Sequence, residues 1–479
     1  VKFRPVVLNQ PAATSPARKG IFSIISIGLQ GGSRFASNWL ISQLASKVVL
    51  GVVATASALA LLLNTFWPAS AQSAASKFIA RARGKGDDAE VQAVARHLAV
   101  RVLQVVGVLA VVAPLLWWWQ YRRDPWEGLC VSAMLITLGT SQFARGVHFG
   151  AGQIARGTKV DLVTSVIGLG GTLAMLLAGI HSILLTVPLT AAMGVYSLAC
   201  WPWSASGRPE KALRSEIDKF VTIAALGSIA SAGLLQMTQL IAQGISEVAA
   251  GEYAPALQLV TPLAIVAGAL TLVMFPSMAE AQGAGSMDRL RQITDLATRA
   301  FVAVLVPIFG AMAVASRPVM HVVYRGNYPE SALIMPAFCV ALLLQNVASP
   351  AVSSLTSGPH KNMWYSLAMS WAGLAGAAIS WWPLVPRFGI LGIAIGYAIG
   401  SGITACSLFA VAWRINGQAW SSLSVRLALS VIVIVALSWW RQSQPVDFAG
   451  DAVAGLAFLL VSSALGWPTV RNMTALRRP

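Results

Sequence analysis

Fourteen apolar stretches fill this chain almost end to end, and that pattern confines it to a bilayer. They lie at 21–44, 48–70, 98–120, 128–148, 160–180, 182–203, 219–244, 252–277, 299–322, 331–355, 362–385, 389–413, 423–440 and 449–468. A helix needs about 20 residues to cross a hydrocarbon core about 30 Å thick, and these segments are of that length. Only 11% of the residues are charged, where a soluble domain carries about 25%. Little sequence is left over for a water-soluble catalytic domain. The expected fold class is therefore an all-α polytopic membrane protein of about 14 transmembrane helices, with no enzyme activity. Whatever it handles must cross or dwell in the membrane.

The first stretch is too long for a secretory signal, contains Arg34 and lacks a small-residue cleavage site, so it reads as a retained helix. The net charge of +17 raises the question of a nucleic-acid partner, and its distribution answers it. With both termini in the cytoplasm, and with Arg145, Lys219, Arg299 and Arg426 at the cytoplasmic ends of spans counted to that side, 25 of the 34 Lys and Arg fall to the inner side, 6 to the outer side and 3 (Arg34, Arg101 and Arg317) within spans. That is the positive-inside bias that orients membrane proteins, spread over short loops with no single patch. The expected location is the cytoplasmic membrane, with membrane lipids as partners and no nucleic acid. Trp117, Trp118, Trp119, Trp126, Trp381, Trp382, Trp439 and Trp440 then mark the outer boundary, and Trp201, Trp203, Trp364, Trp413, Trp420 and Trp467 the inner one.

Two connections, 71–97 and 278–298, are longer than the rest and stand about 200 residues apart. Gly51 and Gly251 share that offset, and Gly157-Thr158-Lys159 parallels Gly358-Pro359-His360-Lys361. A parallel repeat follows, of the kind from which transporters build a site between two halves. The expected organisation is a cytoplasmic tail at 1–20, an N-lobe at 21–203, an inter-lobe linker at 204–218, a C-lobe at 219–413, an appended pair of helices at 423–468 and a second tail at 469–479.

Several short motifs add a family resemblance. They are Lys77-Phe78-Ile79-Ala80-Arg81, Gly84-Lys85-Gly86-Asp87, Phe143-Ala144-Arg145-Gly146, Gly251-Glu252-Tyr253-Ala254-Pro255-Ala256, Tyr324-Arg325-Gly326-Asn327-Tyr328 and Phe388-Gly389-Ile390-Leu391-Gly392-Ile393-Ala394. In order and spacing, over residues 20–415, the chain resembles the multidrug/oligosaccharidyl-lipid/polysaccharide exporter superfamily. Within it, the nearest likeness is to the polysaccharide-transport branch of lipid-linked oligosaccharide flippases. The resemblance implies two six-helix lobes around a central cavity faced by helices 1, 2, 7 and 8. It also implies movement of a polyprenyl-(pyro)phosphate-linked glycan to the outer leaflet. Peptidoglycan-precursor flippases share the helix count and use cavity arginines; a single deep arginine places that branch second here.

That arginine is Arg34, 13 residues into the first stretch and about 20 Å from its start. A charge at such depth costs at least about 2.5 kcal/mol, so it needs a reason. Gln30 and Asn38, one turn to either side, complete a polar stripe on one helix face. A guanidinium there can grip a phosphate bidentately, or it can be a structural group satisfied by carbonyls. Gln236, Gln239 and Gln243 share a face of the seventh stretch, where amides can hold sugar hydroxyls or join helices. Gln258 and Asn64 are weaker candidates of the same kind. Arg101 and Arg145 lie nearer the cytoplasmic surface, where they can guide an anionic head group inward or simply set topology.

No Asp or Glu is expected deep within a span, which disfavours a cation-drug antiporter. No metal-ligand spacing and no phosphate-cradling loop appears, so neither a metal nor a cofactor is expected, and Cys130, Cys200, Cys339 and Cys406 read as small buried side chains. The leading function is a flippase for a lipid-linked oligosaccharide or cell-envelope glycan precursor, with glycan-assembly membrane proteins as possible partners. Behind it stand a peptidoglycan-precursor flippase, a multidrug or small-solute exporter of the same fold, and last a membrane glycan polymerase, which would need large outer loops.

Overall fold

The computed structural model describes residues 16–121, 124–263, 286–357 and 360–475, with Ala267 and Met278 between them, and their regular structure is helical throughout. Much of the expected eighth span, the start of the 278–298 connection, Gly358-Pro359 and most of the two tails lie outside the described residues. The chain divides into two compact units, Val1–Gly251 and Glu252–Pro479.

The first unit holds α1 (Pro16–Leu44), α2 (Lys47–Thr65), α3 (Pro68–Gly84), α4 (Asp88–Tyr121), α5 (Pro125–Gly150), α6 (Ile154–Leu177), α7 (Val187–Cys200), α8 (Lys211–Ser228), α9 (Leu234–Ile245) and the start of α10 (Glu247–Val260). Local sequence sets the ends. The Ser46 side chain accepts from Val49 N at 3.3 Å and caps α2, while Pro68 and Pro125 open α3 and α5, where a missing N–H costs nothing. The rod from Lys211 to Ile245 continues through one π turn at Ile229–Gly233.

The 71–97 connection, expected as a longer link between spans, is α3 followed by the first turns of α4. Ala71, Ala74, Ala75, Phe78, Ile79 and Ala82 recur at helical spacing and are fully buried against Val94, Leu98, Phe143, Val147, Ile217 and Val221. The opposite face is charged, and averaged hydropathy hides the stripe. The repeat offset reappears in the helix starts: α2 and α10 begin at Lys47 and Glu247, 200 residues apart. Gly51 and Gly251 meet there. A Cβ on Gly51 would collide with Glu247 O and come 2.8 Å from Gly251 N, so only glycine allows this backbone crossing.

The second unit holds the rest of α10, then α11 (Met287–Val314), α12 (Ser316–Tyr324), α13 (Pro329–Val347), α14 (Ser349–Ser357), α15 (His360–Asn416), α16 (Ser421–Ser443) and α17 (Phe448–Ala475). The helix α15 carries two expected spans, broken at Gly389 with φ 55°. The appended pair α16–α17 is tied to α12 by Arg317, which donates to the carbonyls of Arg441 (2.9 Å), Gln442 (2.5 Å) and Gln444 (3.2 Å) at the end of α16. Asp451, 1% exposed, holds Arg441 Nε at 2.5 Å beside it. Arg317 is thus a structural arginine, its donors spent on orphan helix carbonyls. Between α11, α16 and α17 runs an apolar groove of about 630 Å³, walled by Val306, Val433, Phe458 and Val461, among others, with Arg299 and Arg426 at one end.

Among the described residues, ten segments are long and apolar enough to cross a membrane, and one of them, Asn362–Asn416, contains the α15 break. The helices α1 and α5 have the length but are interrupted by polar side chains, Gln30 and Arg34 in the one, Gln142 and Arg145 in the other. An integral membrane protein follows. Cys200 and Cys339 are buried as expected, whereas Cys130 is half-buried and Cys406 exposed, since a bilayer-facing helix surface can carry a small apolar thiol.

Candidate functional site

The polar stripe of α1 lies along α6. Thr158 Oγ1 of α6 donates to Phe22 O of α1 at 3.1 Å, which fixes the two helices near one end. Gln30, Arg34 and Asn38 are all half-buried on α1, but the Nε and Nη2 atoms of Arg34 are shielded completely. Neither has a hydrogen-bond partner among the described residues.

A second arginine stands in the same interior. Arg145 of α5 donates from Nε to Asp161 Oδ2 at 3.1 Å and from Nη2 to Asp161 Oδ1 at 2.8 Å, a fork-on-fork pair with each side chain 4% exposed. Its guanidinium lies 4.6 Å from the centre of the Tyr196 ring of α7, and Tyr196 in turn is bonded to Cys200. Nη1 of Arg145 is buried with no partner among the described residues. Arg34 is within electrostatic reach of both Arg145 and Asp161. One turn beyond Arg145, His148 donates from Nδ1 to Ala144 O at 3.0 Å, so its buried Nε2 is a bare lone pair when the ring is neutral. Gly157 lets α6 pack closely against both: a Cβ there would stand 3.2 Å from Tyr196 Oη and 3.5 Å from the His148 ring.

The motif Phe143-Ala144-Arg145-Gly146 explains how α5 presents this arginine. Phe143 fills the core with Phe78 and Ile79, and Gly146 lets α5 lie directly on α3. A Cβ on Gly146 would be 2.8 Å from Gln72 Cα, in contact with backbone that cannot yield. With α5 pressed to α3 along that line, Arg145 projects toward α6 and α7.

The expected site residues separate. Arg145, expected near the cytoplasmic surface as a guide, is buried in the Arg34 cluster. Arg101, counted inside a span, is exposed on α4 and lies 3.5 Å from Asp218 of α8, which also bonds His97 at 2.8 Å. The helix α4 starts at Asp88, ten residues before its expected start. Asn64 is buried and donates to Gln142 Oε1 of α5 at 2.7 Å. Gln243 accepts from Thr55 Oγ1 of α2 at 3.1 Å, and Gln239 donates to Ala250 O of α10 at 3.1 Å; both join helices. Gln236 is half-buried on α9. Gln258 is half-buried in the second unit, its Oε1 shielded and without a partner among the described residues.

Asp161, Tyr196 and His148 are members that the sequence did not yield. Asp161 is a buried acid two turns inside α6, which begins at Ile154. Glu252, 4% exposed within α10, is a second such acid. Arginine and aspartate 16 residues apart, on either side of a turn, were the available signal. Among the described residues, no group of three or more His, Cys, Asp or Glu is placed to hold a metal ion.

The comparisons with known proteins fit this geometry. The family model described as lipid II flippase MurJ matches residues 158–444, more than half of the chain. No individual curated sequence matches it significantly. Among solved structures, a lipid II flippase MurJ in an inward closed conformation is similar over 94% of this chain and 99% of its own, with TM-score 0.69 and 12% identity. An inward-facing multidrug resistance MATE family transporter of the MOP superfamily is similar over 80% of this chain and 94% of its own, with TM-score 0.65 and 14% identity. A Vibrio cholerae MATE transporter is similar over 83% and 96%, with TM-score 0.63 and 16% identity. At these identities the structures speak to the fold alone, and the expected exporter superfamily stands.

Proposed function

The chain belongs to the lipid II flippase MurJ family, and from that premise we propose that it carries a polyprenyl-pyrophosphate-linked cell-envelope precursor of the lipid II kind across the cytoplasmic membrane by alternating access. As a member of that family it is a transporter of lipid-linked glycan precursors and not an enzyme. The family model is that of the peptidoglycan branch, which the sequence motifs placed second to the polysaccharide branch.

The observation that carries the reading is Arg34. A structural arginine in this protein looks like Arg317, with its donors spent on carbonyls. Arg34 instead keeps two shielded nitrogens without a partner among the described residues, on a stripe with Gln30 and Asn38. Donors in that state suit an anion that arrives and leaves, and a pyrophosphate offers bidentate oxygens to a guanidinium. Gln236 and Gln258 are proposed to meet sugar or peptide groups, with Asn64, Gln239 and Gln243 holding the helices that frame them. Arg101 is proposed to attract the head group at the cytoplasmic surface. The groove between α11, α16 and α17 supports an isoprenoid chain lying along the protein, since its walls are apolar and its mouth is basic. A cation-drug exporter is the poorer fit: Asp161, which such a substrate would need free, is held by Arg145.

Proteoliposomes loaded on one leaflet with lipid II, or with a polyprenyl-pyrophosphate oligosaccharide, test the proposal. Protein-dependent appearance of the head group on the opposite leaflet is expected, and Arg34→Ala should abolish it. No movement of either lipid above protein-free vesicles would overturn the assignment. Movement of the oligosaccharide lipid alone would return it to the polysaccharide branch.

A further inference from the structure

The rod from Lys211 to Ile245 has two halves with different partners. Its second half, α9, is fixed on α2: Thr55 Oγ1 donates to Gln243 Oε1 at 3.1 Å, and a Cβ on Gly233 would stand 3.1 Å from Leu62 Cδ1. Its first half, α8, lies on α3 and α4. Ile217 and Val221 are fully buried there beside Phe78 and Leu98, with Leu213 and Phe220 packed against them. Phe220 meets Phe78 edge-on at 5.6 Å, and Lys77 Nζ stands 4.3 Å from the centre of the Phe220 ring. A seam of charge edges this apolar seat. Arg81 forks onto Glu216 at 2.8 and 3.1 Å, while Asp218 has His97 Nε2 at 2.8 Å and Arg101 Nη2 at 3.5 Å. The Arg81 and Glu216 side chains are 37% and 44% exposed, where those of the interior pair Arg145–Asp161 are 4%. Exposed pairs of that kind are weak and screened by salt, so the seam opens at little cost.

Between the halves lies the π turn at Ile229–Gly233, where Ser231 Oγ donates to Gly227 O at 2.9 Å. A π turn fits one residue more than an α turn into the same stretch of rod. Relaxing it to α geometry with that residue retained would turn α8 by about 100° about its axis and push it outward by about 1.5 Å. Arg214, Asp218 and Thr222 would then face α3 and α4 in place of Leu213, Ile217 and Val221. Polar side chains cannot fill an apolar seat, so the seat is matched to the π form alone. We propose that α8 is a two-state strap, docked on α3 and α4 while the π turn is formed and released when the rod relaxes to continuous α-helix. Burial of Ile217 and Val221 holds the π turn, and the exposed seam at Glu216 and Asp218 sets how often it lets go. Alternating access needs an element with two discrete arrangements, and this strap supplies one. Its link to lipid movement rests on the flippase reading; the two states of the strap do not.

The test places spin labels at Ala80→Cys and Ser215→Cys, both exposed, in the otherwise cysteine-free full chain in nanodiscs. Pulsed electron paramagnetic resonance then reads the α3–α8 distance. Wild type should show a major short distance and a minor longer one. Glu216→Gln should raise the longer population about two- to fivefold, as should added salt, and Ile217→Asn should raise it more than about tenfold. Deleting Ala230 should do the opposite: with the surplus residue gone, a regular α-helix keeps α8 in its docked register, and the longer population should vanish. Where that deletion does not fold, Ser231→Ala, which removes the hydroxyl from Gly227 O, should raise the longer population. A single distance unmoved by folded Glu216→Gln and Ile217→Asn overturns the strap. A longer population that persists unchanged in the deletion, or in Ser231→Ala, overturns its coupling to the π turn. Joining the two cysteines with a short bismaleimide should arrest lipid movement in vesicles, and movement at the unjoined rate would remove the strap from transport. Two distances that shift as expected without movement of any lipid, joined or not, would keep the strap and sink the flippase assignment.

Discussion

Replacing Arg34 by methionine should make the protein more stable while it stops transporting. Each shielded donor left without a partner costs about 1–3 kcal/mol. Arg34 has two such atoms, Nε and Nη2. Their removal therefore recovers about 2–6 kcal/mol before other terms are counted. The attraction of Arg34 to Asp161 is opposed by its repulsion from Arg145, so little net Coulomb energy is lost with the charge. Methionine keeps most of the apolar stem, and the packing loss stays near about 1 kcal/mol. The expected net gain is about 1–5 kcal/mol, the sign typical of a binding residue held in readiness at a cost to stability. The assay is thermal and denaturant unfolding of the full chain in nanodiscs, in phosphate-free buffer, alongside lipid movement in vesicles. Adding pyrophosphate should raise wild-type stability and close the gap. A loss of more than about 1 kcal/mol in Arg34→Met would show that the arginine is a structural group, since breaking a satisfied buried ion is what produces losses of that size.

Gly146→Val should destabilise by more than the about 1–3 kcal/mol usual for overpacking, because its new atoms meet the backbone of Gln72; lipid movement should fall with it as Arg145 is displaced. Arg317→Met should destabilise by about 2–4 kcal/mol, seen in unfolding curves, since three carbonyls at the end of α16 lose their donor. Arg101→Gln should leave stability within about 0.5 kcal/mol of wild type, the usual range for an exposed ion pair. In a double-mutant cycle, Thr55→Val and Gln243→Leu should couple by about 0.5–1.5 kcal/mol, reporting the α2–α9 hydrogen bond.

The helices were legible because lipid demands long apolar runs with every backbone group satisfied internally, and such runs survive averaging. The likeness of Gly51 to Gly251 was legible as an offset, and the structure gives it a cause in the crossing of α2 and α10. What averaging destroyed was the face of α3: its alanines carry little hydropathy each, yet they make a buried stripe when set at helical spacing. Starts were misplaced for a related reason. Polar first turns at Asp88 and Ile154 are helical because tertiary packing holds them. The later expected start of α6 left Asp161 at an edge. From the sequence Arg34 could be found as a deep charge, but its neighbours could not, since α1 meets α6 through contacts more than a hundred residues apart, as between Phe22 and Thr158.

The arginines of this chain give a criterion that depth alone does not supply. Arg317, like Arg34, was counted inside a span, yet both of its terminal nitrogens are held by three carbonyls, with Asp451 3.9 Å away. Arg145 is more deeply buried than either and is half consumed, with two nitrogens on Asp161 and one left over. Arg34 has two shielded nitrogens left over. Ordered by free donors instead of by depth, the three run from structural to ligand-facing. That order fits a carrier for an anion. A guanidinium fully paired within the protein could take a phosphate only by breaking those bonds. Arg34, shielded and with two donors left over, is placed to load an anion without first breaking such bonds.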